Sequence, residues 1–287
     1  MKHLSLFIEL TRLTKPIGFM LLFWPCAWGL TVAYNFENNL NLYLFYLTLF
    51  FLGSVLMRSA GCIVNDIFDK DFDKKVSRTK NRPIASGKIS IKLALIYSCI
   101  LCLIAFLVLL NFNYFTIILA LGSMPLAFTY PLMKRFTYLP QLFLGITFNY
   151  GLILGWTSIM EYINFEIFIF YIGAIFWTLA YDTIYGYQDI KDDEIIGLKS
   201  ASIKFKKNPM KYLKVFYFIF FLSLLSVGFF EDLNYLYFLI LGLVFYHLFF
   251  FQLKNLDVNN SKTCLVIFKS NNFLGLIIFI NLFIGKF

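Results

Sequence analysis

Long apolar runs constrain this chain more than any other feature. Leu42–Leu56 and Leu213–Phe230 are two of nine such runs, and they do not alternate apolar and polar residues at every second position. That pattern fits helices whose backbone groups are satisfied internally, and it argues against the alternating strands of an outer-membrane barrel. Hydrophobic residues make up 60% of the 287, about 172 side chains, and charged residues only 14%. A soluble domain of this size cannot bury so many apolar groups. Nine membrane helices of about 20 residues need about 180. The sequence therefore predicts an all-α, polytopic membrane protein, with disorder, nucleic-acid binding and a disulfide-stapled secreted fold excluded.

The expected spans are 17–35, 42–63, 90–110, 114–132, 139–159, 166–185, 213–230, 235–252 and 265–284. The first is kept as a helix rather than a cleaved leader, because eight more follow and no small-residue cleavage site does. Residues 1–287 are read as one integral-membrane domain, with about nine helices around a central cavity.

With nine spans the connections alternate sides, and the net charge of +9 divides sharply between them. One side receives Lys2, Arg12 and Lys15, seven basic residues from Lys70 to Lys88, and Lys134 with Arg135. It also receives six basic residues from Lys191 to Lys211, and Lys254 and Lys262. The other side carries Glu37, Glu161, Glu166, Glu231 and Asp232, with Lys286 as its basic residue. The positive-inside rule then places the N-terminus in the cytoplasm and the C-terminus outside. Two cytoplasmic connections, about 65–89 and 186–212, are longer than a turn requires, and each begins with a carboxylate cluster.

In the first cluster, Asn65, Asp69 and Asp73 recur every four residues and share one helix face if the second span continues past the membrane surface, with Asp66 beside them. In the second, Asp182, Asp189 and Asp193 fall at i, i+7 and i+11, and Asp192 and Glu194 lie close by. Solvated helix ends are the plain reading. Against it, stacked carboxylates repel, and a helix C-terminus prefers cations. Magnesium supplies the missing charge and typically bridges carboxylates to substrate phosphates. Two matched clusters thus point to a diphosphate held through bridging magnesium ions. Arg78, Lys80 and Arg82 follow the first cluster and suit a phosphate or a membrane surface equally.

These motifs resemble the UbiA superfamily of intramembrane prenyltransferases. The resemblance is carried by the stretch from Met57 to Asp73, continued by Arg78-Thr-Lys-Asn-Arg82-Pro-Ile-Ala-Ser-Gly87, and by Tyr181-Asp-Thr-Ile-Tyr-Gly-Tyr-Gln-Asp189 through Asp193 and Ile196-Gly-Leu-Lys-Ser200. Tyr130-Pro-Leu-Met-Lys134, followed by Arg135, and the opening Arg12-Leu-Thr-Lys-Pro-Ile-Gly18 with Trp24-Pro25 are similar to two further family segments. The wording is most similar to the branch that prenylates 4-hydroxybenzoate in ubiquinone biosynthesis.

The resemblance implies magnesium-dependent transfer of a polyprenyl group from polyprenyl diphosphate to the ring carbon ortho to the acceptor's hydroxyl, in a bacterial inner membrane with the site facing the cytoplasm. Two Mg2+ ions would bridge the diphosphate. The candidate metal residues are Asn65, Asp66, Asp69, Asp73, Asp189 and Asp193, with Asp69 and Asp189 also counted as catalytic. Lys134 and Arg82 match positions near the diphosphate, and Arg78 joins them. Gly186 stands where relatives often carry alanine and is expected to be neutral.

Two charges lie inside the apolar boundary. Asp182 is the candidate base or phenol orienter, with a helix-packing carboxylate as the alternative. Arg58, seven residues before Asn65, is the candidate partner for the benzoate carboxylate, with Arg135 as competitor and a structural ion pair to Asp182 as the alternative. Cys99 and Cys102 have Cys-x-x-Cys spacing but lie in an apolar span without a nearby histidine, so packing is the better reading. His3 and His247 complete no site. The lipid bilayer is the expected surrounding, no nucleic acid is expected, and the sequence names no protein partner. The competing readings are a related prenyltransferase with another acceptor and a transporter, which should bury its ionisable groups at the midplane.

Overall fold

A computed structural model describes residues 2–37 and 39–287. In chain order the helices are α1 (Lys2–Thr11), α2 (Ile17–Ala33), α3 (Leu40–Phe68), α4 (Lys70–Asp73), α5 (Ile91–Leu109), α6 (Tyr114–Thr129) and α7 (Met133–Phe136). They continue with α8 (Pro140–Met160), α9 (Phe165–Gly186), α10 (Ile190–Ile195), α11 (Ala201–Lys204), α12 (Pro209–Phe230), α13 (Tyr235–Phe245) and α14 (Ser261–Gly285). No strand forms among the described residues. A 3₁₀ turn at Tyr130–Leu132 joins α6 to α7, and a π-helical stretch, Tyr246–Gln252, prolongs α13.

Among the described residues eight helices are long and apolar enough to cross a membrane, and α2 is a shorter apolar ninth of 17 residues. At 1.5 Å per residue α2 is roughly 26 Å long, a little less than a bilayer's hydrocarbon thickness. The nine expected spans thus appear with shifted ends. Helix α3 runs to Phe68 instead of 63, carrying the first cluster out of the apolar zone on helical backbone. Side chains of Asn39, Asn113, Asn164 and Asn234 cap α3, α6, α9 and α13 at the end with few basic residues.

Helix α2 packs on α8, α3 and α14, and α9 on α8, α12 and α14. Where lipid supplies no driving force, close backbone approach holds helices together. On α8, Gly151 and Gly155 are one turn apart; a Cβ on Gly155 would strike the Cys26 carbonyl of α2, and one on Gly29 would strike the Leu152 carbonyl. Trp28 is fully buried here, ring centroids 5.0 Å from Trp177, 5.9 Å from Phe170 and 6.2 Å from Phe220, and its Nε1 donates to the Gly275 carbonyl at 3.0 Å.

Helices α5 and α6 lean on different partners, α5 on α3 and α6 on α8. Between them, α2, α3 and α8 lies an apolar cavity of about 350 Å³. Helix α1 was not expected from the sequence. It packs on α3, with Leu10 buried beside Ala60 and Ile63.

Candidate active site

A larger cavity of about 1000 Å³ opens at the end of the fold that gathers the basic residues. Of the predicted site residues, Arg58, Asn65, Asp66, Asp69, Asp73, Arg78, Arg82, Lys134, Asp182, Asp189 and Asp193 all line it. Arg135 does not. Its guanidinium donates to the Phe68 carbonyl at 2.7 Å and lies 5.3 Å from the centre of the Phe72 ring, so it caps the C-terminus of α3. The helical turn that aims Lys134 inward aims its neighbour outward.

Backbone hydrogen bonds from Asp69 to Asn65 (2.9 Å) and from Asp73 to Asp69 (2.8 Å) carry the four-residue spacing across the break between α3 and α4. The first cluster divides in two. Asp66, only 2% exposed, is ion-paired with Arg12 and with Arg82 (3.1 Å), and Arg82 also holds Asp73 at 2.8 Å. This alternating chain ties Asp66 and Asp73 to two arginines.

Asn65 and Asp69 behave differently. The Asn65 amide donates to Asp69 Oδ2 at 3.1 Å, leaving its own oxygen free, and Lys134 is ion-paired with the same Oδ2. Asp69 Oδ1 is buried without a partner. Burial pushes this carboxyl above its ordinary range, more than Lys134 pulls it back.

The second cluster comes from α9 and α10. Arg78 clasps Asp189 through Nε (2.9 Å to Oδ1, 3.1 Å to Oδ2) and through Nη2, while Nη1 donates to the Tyr185 hydroxyl at 3.0 Å. The Ser77 hydroxyl donates to Asp192 at 3.1 Å, so the two long connections meet above the cavity. Burial, with Asp189 nearby, pushes the Asp193 carboxyl up to about 6.

Among the described residues no three His, Cys, Asp or Glu side chains come close enough to hold a metal alone. A cation at Asn65 and Asp69, or at Asp189 and Asp193, must complete its shell with water and substrate oxygen. Magnesium does so habitually, and the unpartnered Asp69 oxygen suits it.

Two turns deeper sit Arg58 and Asp182. No ion pair joins Arg58 to Asp182 or to any other described carboxylate. Its Nε is buried and unpartnered, and its guanidinium carbon lies 5.6 Å from the centre of the Phe148 ring. A Cβ at Gly18 would come within 2.8 Å of that Nε, so glycine makes the room. Arg58, Tyr130 and Phe148 line both cavities and form the throat between charged and apolar space.

The profile of the UbiA prenyltransferase family matches residues 22–282. The chain belongs to this family. It is 42% identical over 286 residues to the mitochondrial 4-hydroxybenzoate polyprenyltransferase of Bos taurus, covering 99% of this chain and 76% of that one. It is 41% identical over 284 residues to the 4-hydroxybenzoate octaprenyltransferase of Francisella tularensis subsp. tularensis (strain SCHU S4 / Schu 4), covering 97% and 96%. A UbiA homolog from Archaeoglobus fulgidus, solved bound to GPP and Mg2+, has the same fold, with TM-score 0.72 and 17% identity over 97% of this chain and 98% of that one.

Three features of the prenyltransferase site were not assigned from the sequence. Arg12 was read as a topology charge, yet it grips Asp66 from a left-handed backbone (φ 56°), a strained conformation that surrounding contacts must hold. Tyr185, which meets Arg78, stands three residues after Asp182 and four before Asp189, so helical spacing would have found it. Gly186 is tighter than expected: a Cβ there would strike the Ser202 hydroxyl, which donates to the Thr183 carbonyl.

Proposed function

We propose that this chain transfers a polyprenyl group from polyprenyl diphosphate to the ring carbon ortho to the hydroxyl of 4-hydroxybenzoate, with two magnesium ions. The observation that carries the reading is the sequence of environments along one path. Facing carboxylate clusters lead to an unpaired deep guanidinium, and the throat beside it opens into apolar space. Diphosphate, benzoate carboxylate and prenyl tail each meet a matching environment. The substrates named for the Bos taurus and Francisella relatives agree with it.

Asn65, Asp69, Asp189 and Asp193 would hold the magnesium ions. When bound, magnesium supplies positive charge against the negative charge that grows on the leaving diphosphate. Lys134 and Arg78, paired here with Asp69 and Asp189, keep two more cations at the same place, and Arg82 is steadied by Asp66 and Asp73. Cleavage of the allylic C–O bond sends its electron pair to the diphosphate. The throat, lined by Tyr130 and Phe148, shields the allylic cation from water and offers it aromatic faces. Asp182 takes up the phenol proton, which makes the ortho carbon a stronger nucleophile. That carbon's π electrons form the new C–C bond, the displaced ring hydrogen passes as a proton to the released diphosphate, and the phenol recovers its own from Asp182.

The charge asymmetry supports a cytoplasmic N-terminus, an external C-terminus and a site open to the cytoplasm of a bacterial inner membrane. The test is a membrane assay that offers one labelled polyprenyl diphosphate to several aromatic acceptors, with and without magnesium. Magnesium-dependent labelling of 4-hydroxybenzoate at the ortho carbon is expected. Preference for an acceptor without a carboxylate, or turnover in excess chelator, contradicts the proposal.

A further inference from the structure

The deep end of the chamber holds a second donor that the protein leaves unspent. Asn149 on α8 is fully buried, and its amide orientation is fixed. Its Nδ2 donates to the Gly145 carbonyl at 2.8 Å, a group that only accepts, and also to Thr178 Oγ1 at 2.7 Å. Thr178 Oγ1 therefore accepts from Asn149, and its single hydrogen runs to the Tyr181 hydroxyl at 3.2 Å. Tyr181 receives a hydrogen bond on its oxygen and keeps its own hydrogen; among the described residues that hydroxyl has no other partner.

The Tyr181 ring cannot swing away to find one. It stands edge-on to Trp177 at 4.9 Å and packs on Phe268 at 5.8 Å. Asp182 is next in sequence, about 100° further round the helix, whereas the Tyr181 side chain runs back toward Thr178. Tyr181 lines the charged chamber together with Asp182 and Arg58. Arg58 Nε, in the lining of the same chamber, is a buried donor without a partner. Two unspent donors at one end of a chamber, one of them cationic, match a group that only accepts, which is a carboxylate.

We infer that Tyr181 binds the carboxylate of the aromatic acceptor beside Arg58, with Asn149 and Thr178 turning its hydrogen toward the chamber. This rests on the acceptor reading above. Thr178 and Asn149 touch no substrate and are positioning residues.

The experiment uses the full chain in lipid nanodiscs. Tyr181→Phe is expected to raise the KM for 4-hydroxybenzoate about tenfold, the loss of one hydrogen bond to a charged group, and to leave the KM for prenyl diphosphate unchanged. Calorimetric binding of 4-hydroxybenzoate without prenyl diphosphate should weaken by the same factor. Prenylation of 4-methylphenol, which lacks the carboxylate, should not change. Thr178→Val should shift the benzoate KM in the same direction and Thr178→Ser should restore it, which keeps the test open if Tyr181→Phe fails to fold. An unchanged benzoate KM in Tyr181→Phe, or an equal loss for 4-methylphenol, overturns the inference while the acceptor reading stands. A wild-type protein that neither binds nor prenylates 4-hydroxybenzoate overturns both.

Discussion

Removing the Arg58 guanidinium should cripple the use of a carboxylate-bearing acceptor and spare recognition of prenyl diphosphate. Arg58 is held at membrane depth with no ion-pair partner among the described residues, its Nε buried and its guanidinium against Phe148. A two-pronged, charge-assisted pair in a partly dry pocket is worth about 2–4 kcal/mol, since its loss leaves the acceptor's charge unpaired. At about 1.36 kcal/mol per decade, Arg58→Ala should lower kcat/KM for 4-hydroxybenzoate by about 30- to 900-fold. Arg58→Lys should recover only part, because an ammonium lacks the planar fork. Gly18→Ala should cause a smaller loss of the same kind, because the added Cβ displaces the guanidinium. The assay follows transfer of a labelled prenyl group in reconstituted membranes to 4-hydroxybenzoate and to a phenol without the carboxylate. If both acceptors lose equally in Arg58→Ala, Arg58 supports the fold or the diphosphate, and the reasoning is refuted.

Other outcomes follow from the same geometry. Asp193 loses its charge as pH falls through about 6, so a proton then competes with the metal; magnesium affinity, read by titration, should fall below that pH and level off above it. Gly155→Val should lower the melting temperature in detergent and cost about 1–3 kcal/mol, because its new atoms meet the α2 backbone, which cannot step aside. Single cysteines near positions 75 and 205, in a variant without native thiols, should label only from the cytoplasmic side, and one at 161 only from outside; the reverse pattern would overturn the topology.

Most of the architecture was legible because each span is a local signal, a run of apolar residues long enough to cross a bilayer. Helix α1 escaped because its 10 residues are too few to span and its partner, α3, is distant in sequence. The site was legible to the level of its clusters, because four-residue spacing survives the break at Asp69. Which cation meets which carboxylate was not. Arg12 and Arg82 pair with Asp66 and Asp73 through contacts reaching 54 residues along the chain, and no spacing rule sees those. Lys134 and Arg135 are equivalent as letters; only the orientation of one short helix sends the first to Asp69 and the second to the Phe68 carbonyl.

The central claim is that Asn65 and Asp69 face Asp189 and Asp193 across one metal–diphosphate site. Manganese, which shares magnesium's preference for octahedral oxygen ligands, reports on this by electron paramagnetic resonance without turnover. Titrated into the protein with inorganic pyrophosphate, about two manganese ions should bind per chain, and far fewer without pyrophosphate, because neither cluster completes a shell alone. Asp69→Ala and Asp189→Ala should each lose tight binding while the helical content and melting temperature hold. Undiminished binding in both variants, or binding indifferent to pyrophosphate, would contradict a site shared between the two clusters.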